Sequence, residues 1–265
     1  MTSRYALITG ASSGIGAAMA RVAAQKGYNV GLAARRVERL EVLGDELRCM
    51  GVVCDVLPAD LARDGAGAAL ADTLAGLGRH VDVLVNNAGV TVPPGFAGTT
   101  LADQSAFVAL TISTPVTLTH RLLPGMLARG WGRIINIGSI AALSSGGKGN
   151  TLYPAGKSFL LKFSQSLNAE VKGRGIFVSA VLPGFVATEF QAANGIPIGE
   201  DGAARSFAQT ADEVAREAWS RNDKGHEIVV PGTPPKIAAA LMRALPEPLM
   251  RALTRAAAEK YYVGE

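Results

Sequence analysis

Short apolar runs alternate with longer segments of helical period along most of the chain. The runs at 5–9, 28–34, 51–57, 81–85, 132–137 and 176–182 read as strands, and 81–85 is apolar nearly throughout, as a strand buried on both faces should be. Segments at 36–50, 63–77, 101–126 and 152–172 carry apolar residues at helical spacing, and an alanine-rich helix ends at Lys26. Gly65 and Gly67 weaken the start of the helix at 63–77, and Pro115 interrupts the one at 101–126. Thr210 ahead of Asp212 and Glu213 marks the start of a capped helix at 210–221, with Trp219 on its apolar face. A last strand follows at 227–230. Strands alternating with helices predict an α/β fold: a doubly wound parallel sheet in three layers, helix, sheet, helix. Residues 234–262 are rich in Ala and Leu, with Lys236, Arg243, Arg251 and Arg255 among them. They predict a helical tail packed on the body or on a second subunit, with a membrane-surface role as the weaker alternative.

Composition narrows the class. The 265 residues are 48% hydrophobic and 18% charged, enough for one domain over 1–265. The net charge is only +4, with no Lys/Arg stripe interleaved with aromatics, so no nucleic-acid partner is expected. Cys49 and Cys54 read as two small buried residues without metal-ligand spacing, which suits a reducing, cytoplasmic setting. Neither a signal peptide nor a transmembrane segment is read, since no uninterrupted apolar stretch reaches about 18 residues.

Three stretches carry candidate chemistry. Gly10-Ala11-Ser12-Ser13-Gly14-Ile15-Gly16 lies between the first strand and the first helix. Gly10 allows a sharp turn, while Gly14 and Gly16 allow close backbone approach, and the helix N-terminus offers free N–H groups to a pyrophosphate. The second strand ends in Ala34-Arg35-Arg36 with no acid to accept from a ribose 2′-OH, and Arg35 is placed to meet a 2′-phosphate. NADP(H) is therefore expected, with NAD(H) as the alternative. Tyr153 and Lys157 fall at i and i+4 of a predicted helix, on one face. A cation beside the phenol favours phenolate, which makes Tyr153 a usable general acid/base.

These stretches resemble the classical short-chain dehydrogenase/reductase family. Its cofactor motif matches Thr9-Gly10-Ala11-Ser12-Ser13-Gly14-Ile15-Gly16, its support loop Asn86-Asn87-Ala88-Gly89, and its Tyr-x-x-x-Lys pair Tyr153 and Lys157. Pro183-Gly184-Phe185-Val186-Ala187-Thr188 matches its Pro-Gly-x-x-x-Thr. The resemblance runs from Tyr5 to Gly232 and implies a Rossmann-type fold with reversible hydride transfer between NADP(H) and a carbonyl or alcohol carbon. It implies that Ser139 holds the substrate oxygen, that Tyr153 exchanges the proton, and that Lys157 binds the nicotinamide ribose. It also implies adenine contacts at Asp60 and Leu61. Asn87, Ala88 and Gly89 are expected to line the cofactor, and Pro183, Gly184, Val186 and Thr188 to meet its nicotinamide and phosphate end. The family's relay asparagine aligns with Thr111, a departure: either a threonine rebuilds the relay or activity is weakened.

The implied partner is a small carbonyl or alcohol. Residues 185–206, small and apolar, read as a lid over a lipophilic substrate, with Ser144 and Ser145 at its mouth. A homodimer through the helices at 101–126 and 152–172 is expected, with the tail blocking a further interface. Alternatives are a reductase of carrier-linked 3-oxoacyl groups, for which Arg129 and Arg174 would meet the acidic carrier, and a non-catalytic NADP-binding sensor. An extended-family epimerase or dehydratase is disfavoured by the glycine spacing.

Overall fold

The structure is a computed structural model that describes residues 3–91, 96–147, 151–189 and 208–261. Parallel strands β1 (Tyr5–Thr9), β2 (Asn29–Ala34), β3 (Cys54–Pro58), β4 (Val83–Asn86), β5 (Gly132–Ile137), β6 (Ile176–Val181) and β7 (Ile228–Val229) form a sheet in the order β3-β2-β1-β4-β5-β6-β7. The helices are α1 (Gly14–Gln25), α2 (Val37–Arg48), α3 (Ala66–Gly76), α4 (Leu101–Val108), α5 (Thr114–Arg129), α6 (Leu152–Val171), α7 (Ala211–Asp223), α8 (Thr233–Ala244) and α9 (Glu247–Tyr261). This is the doubly wound, single-domain architecture that the alternating pattern predicts.

Strand period assigns the two faces. Ala6 and Ile8 of β1 join a core with α1, α2 and α7, while Tyr5 and Leu7 join the opposite core with α3, α5 and α6. The alanines of α1 let α7 approach closely, and Trp219 of α7 is 1% exposed, packed beside Tyr28 at 5.5 Å between ring centroids. Thr210 and Glu213 form the reciprocal cap that the sequence announced.

The structure departs from the pattern where a backbone rule intervenes. The helix predicted at 101–126 is α4, a wide π turn over Ala109–Ser113, and α5, which ends at left-handed Gly130. Pro115 lacks an N–H for the carbonyl of Thr111, and its ring crowds that carbonyl, so the ladder widens just before the proline. Together Leu101–Arg129 is long and apolar enough to span a membrane by length and composition alone, but 44% of that window is buried within the protein. The tail is two helices, because Leu245, extended ahead of Pro246, breaks the predicted run. It packs on the body through Pro235, Ala239 and Met250. β3 starts at Cys54, later than expected, because Gly51 occupies a left-handed turn. Cys49 is exposed rather than buried: it caps α2 beyond its last apolar turn, and only Cys54 enters the core.

Candidate active site

Chain order reverses between β1 and β4, which lie side by side while their connections lead to opposite edges of the sheet. Ligands of open parallel sheets bind outside the strand carboxyl ends at such a point. Here a cleft of about 1080 Å³ opens, lined by the loops after β1, β2, β4, β5 and β6. Gly10, Ser12, Ser13, Gly14, Ile15, Arg35, Asp60, Leu61, Asn87, Ala88, Gly89, Ser139, Tyr153, Lys157, Pro183, Gly184, Val186 and Thr188 all line it. Gly16 and Thr111 do not; each lies behind it.

The glycine turn fits a dinucleotide. Gly10 has a φ of 65°, and a Cβ there would meet the Ala88 backbone at 2.8 Å. A Cβ on Gly16 would lie 2.3 Å from the Gly10 carbonyl oxygen, so α1 can close onto β1 only with glycine there. The loop after β4 is clamped to this turn. Thr9 Oγ1 accepts from the Asn87 and Ala88 N–H groups, and the Asn87 amide donates to the Thr9 and Gly10 carbonyls. The Asn87 side chain thus supports the turn from behind. Cradle and open α1 N-terminus together suit a pyrophosphate.

At the far end, Ser139 follows β5 and caps a short turn, its Oγ accepting from Ala141 N–H at 3.2 Å. That bond leaves the hydroxyl proton available to a ligand oxygen. Tyr153 lies in the first turn of α6, half-buried, and Lys157 one turn on, 5% exposed. Lys157 Nζ is 5.6 Å from the Tyr153 ring centroid and donates to the Ile137 carbonyl at 2.9 Å. Burial pushes its ammonium down to about 8. Behind the pair, Asn86 donates to Asn136, Asn136 to Ser164, and Ser164 to the Leu160 carbonyl. This buried polar chain pins α6, and with it Tyr153 and Lys157, to the middle of the sheet. Sequence reasoning passed over it, although asparagines ending apolar strands were the available signal.

Thr111 lies in the π turn, 2% exposed, and its Oγ1 has no partner among the described residues. Its methyl group closes on α6 at Gly156, the residue before Lys157: a Cβ on Gly156 would lie 3.0 Å from it. Thr114, at the exit of the same turn, donates to the Leu61 carbonyl, so the turn is tied to the Asp60–Leu61 side of the cleft.

At the adenosine end, Arg35 is exposed and makes no ion pair or hydrogen bond among the described residues. Arg36, which the sequence reading left unassigned, donates to Ser12 and Ser13 and to Glu189. Glu189 also joins the cleft wall without having been singled out; it stands 153 residues from Arg36, and nothing local announces the meeting. Most of the predicted lid lies outside the described residues. Ser144 donates to the Ala141 carbonyl and Ser145 to Glu247 of the tail, so the tail braces the loop beyond Ser139.

Arg129 and Arg174 fall at the opposite end of the sheet. Arg129 bonds Asp82 and the Val81 carbonyl just before β4, and Arg174 precedes β6. A carrier docked there would face away from Tyr153.

A dinucleotide cradle at the topological switch point, with Ser, Tyr and Lys side chains converging beyond it, defines an NAD(P)-dependent oxidoreductase acting on CH–OH and C=O groups. The chain belongs to the short chain dehydrogenase family, whose model matches residues 4–196. It is 40% identical over 186 residues to nodulation protein G of Rhizobium sp. (strain N33), covering 70% of this chain and 74% of that one. A structure of a 7beta-hydroxysteroid dehydrogenase superposes with a TM-score of 0.87 at 27% identity, covering 95% of this chain and 96% of that chain. A short-chain dehydrogenase from Sphingobium yanoikuyae in complex with NADPH superposes with a TM-score of 0.79 at 32% identity, covering 92% and 97%.

Proposed function

We propose that the protein is an NADP(H)-dependent enzyme interconverting a carbonyl and a secondary alcohol, with Tyr153 as general acid/base. The observation that carries this reading is the convergence of Ser139, Tyr153 and Lys157 at one end of the cleft, with the glycine cradle at the other. A bound nicotinamide supplies the hydride. Tyr153 gives its phenolic proton to the alkoxide oxygen, or takes it in the reverse direction. Ser139 donates to the same oxygen with the proton that its bond to Ala141 leaves available. Lys157 spends one N–H on Ile137 and keeps two for a ribose hydroxyl and for stabilising phenolate charge at Tyr153. Val90, Leu110, Phe185 and Val186 give the cleft lining apolar members, which favours a lipophilic carbonyl.

Thr111 takes the relay position in this reading, its unpaired hydroxyl holding the water through which the proton reaches Lys157. Thr111→Val keeps the methyl packed on Gly156 and removes only that hydroxyl. The expected result is a fall in kcat of about tenfold. NADPH affinity stays unchanged, since Thr111 lies behind the cleft rather than in its lining. Unchanged kcat would remove Thr111 from the relay.

NADP(H) preference rests on Arg35 and Arg36 beside Ser12 and Ser13, with no acid at the end of β2. The test is fluorescence titration with NADPH and NADH, followed by a panel of lipophilic carbonyls. Tighter binding of NADPH and its oxidation by a panel member are expected. Arg35→Met should weaken NADPH about tenfold and leave NADH unchanged. Tight binding without turnover on any carbonyl, free or carrier-linked, would favour the sensor instead.

A further inference from the structure

Around Arg36 the structure assembles an anion cradle that the cofactor motif does not contain by itself. Arg36 Nη2 donates to Ser13 Oγ at 2.6 Å and to Ser12 Oγ at 3.0 Å, while its Nη1 reaches Glu189 Oε2 at 3.1 Å. Arg39, one turn further along α2, donates to the same carboxylate oxygen. Arg35 stands beside them without an ion pair among the described residues. Two guanidiniums therefore converge on one carboxylate, and a third, Arg35, lines the same cleft, an excess of positive charge that suits a dianion. Glu189 follows Thr188, which lies over Gly14, so the loop after β6 carries an acid back across the cleft to the end of β2. Its carboxylate is held in the charged form, chiefly by the hydrogen bonds from Arg39 and then Arg36.

We propose that Glu189 is an internal counter-anion that competes with the cofactor 2′-phosphate for Arg36 and Arg39 and thereby sets the discrimination between NADP(H) and NAD(H). The idea rests on the cofactor reading above. A 2′-phosphate enters the cradle by exchanging with the carboxylate: Arg36 and Arg39 release Glu189 and take the phosphate oxygens, while Ser12 and Ser13 remain as donors. NAD(H) carries no phosphate and leaves the Glu189 pairs in place. Glu189 then neutralises the arginines that would otherwise stand unpaired around a ribose 2′-OH.

Dissociation constants for NADP+, NAD+ and 2′,5′-ADP, measured by calorimetry at low salt, test the exchange without any turnover. Glu189→Gln is expected to tighten NADP+ and 2′,5′-ADP about three- to tenfold, and to leave NAD+ within about twofold, because an exposed arginine pair is freed for a phosphate. The gain should shrink to less than about twofold in an Arg39→Met background, where the competition has lost one partner. If the wild type prefers NADP+ but Glu189→Gln leaves the ratio unchanged, the exchange is overturned and the cofactor reading stands. A gain that persists fully in Arg39→Met would show through-space repulsion of the phosphate and would also overturn it. Preference for NAD+ in both proteins would overturn both statements. A wild type that prefers NAD+ and a Glu189→Gln variant that prefers NADP+ would overturn only the native preference and support the exchange.

Discussion

Replacing Tyr153 by Phe is expected to lower kcat by about a hundredfold to ten-thousandfold, the range of a lost general acid/base. The substitution is narrow. Tyr153 is half-buried at the start of α6, and its ring is what faces Lys157 at 5.6 Å. Phenylalanine keeps that ring and the helix turn and removes one oxygen. The fold should survive, and NADPH should still bind, since the glycine cradle, the loop after β4 and Lys157 are untouched. Steady-state kinetics paired with an NADPH titration separate the two effects. Near-normal turnover would refute the role assigned to Tyr153. Equal losses of turnover and of cofactor binding would instead make it a structural residue of the cleft.

Lys157→Met should lower kcat about a hundredfold or more through the lost cation and, unlike Tyr153→Phe, should also weaken the cofactor. Its second signature lies in the pH dependence of stability. Burial has pushed the ammonium of Lys157 from its ordinary 10.5 to about 8. Between those values the unfolded chain holds a proton that the folded chain has released. The unfolded state binds more protons, so this group's contribution to stability rises with pH from 8 to 10.5 and is flat outside that window. Urea unfolding of the cofactor-free proteins should show wild type gaining on Lys157→Met across that window, by up to about 3 kcal/mol. The sign is set by the depressed value and is independent of how the methionine packs. A gap that does not move with pH would mean that Lys157 stays charged in the fold. The same value shows a conflict built into the site. The role of Lys157 needs its charge, yet its burial, to 5% exposed, works against that charge.

Much of the fold was legible because its signals are local. A run such as Tyr5–Thr9 is apolar up to Thr9, as a short strand covered on both faces is. Tyr153 and Lys157 could be paired on paper because helix period alone puts i and i+4 on one face. The misreadings had equally local causes acting through tertiary context. Pro115 was seen to interrupt a helix, but that the interruption is a π turn with Thr111 buried inside it and closed on Gly156 of α6 shows only in the fold. Cys49 counted as apolar by type, yet the end of α2 turns it to solvent. The tail read as one helix because composition outweighed Pro246 and Pro248.

By itself, then, the sequence determined the sheet of alternating strands and helices, the glycine turn, and the family, since each depends on residues within a few positions of one another. Only the tertiary structure decided which buried polar groups support the site and which anion its arginines hold. Asn86, Asn136 and Ser164 come together across two strands and a helix, and Arg36 and Glu189 meet from chain positions 153 residues apart. Hydrogen bonds and charges act over a few ångströms in space, whatever the distance along the chain. Local period can predict the elements, but only their packing brings such groups within reach.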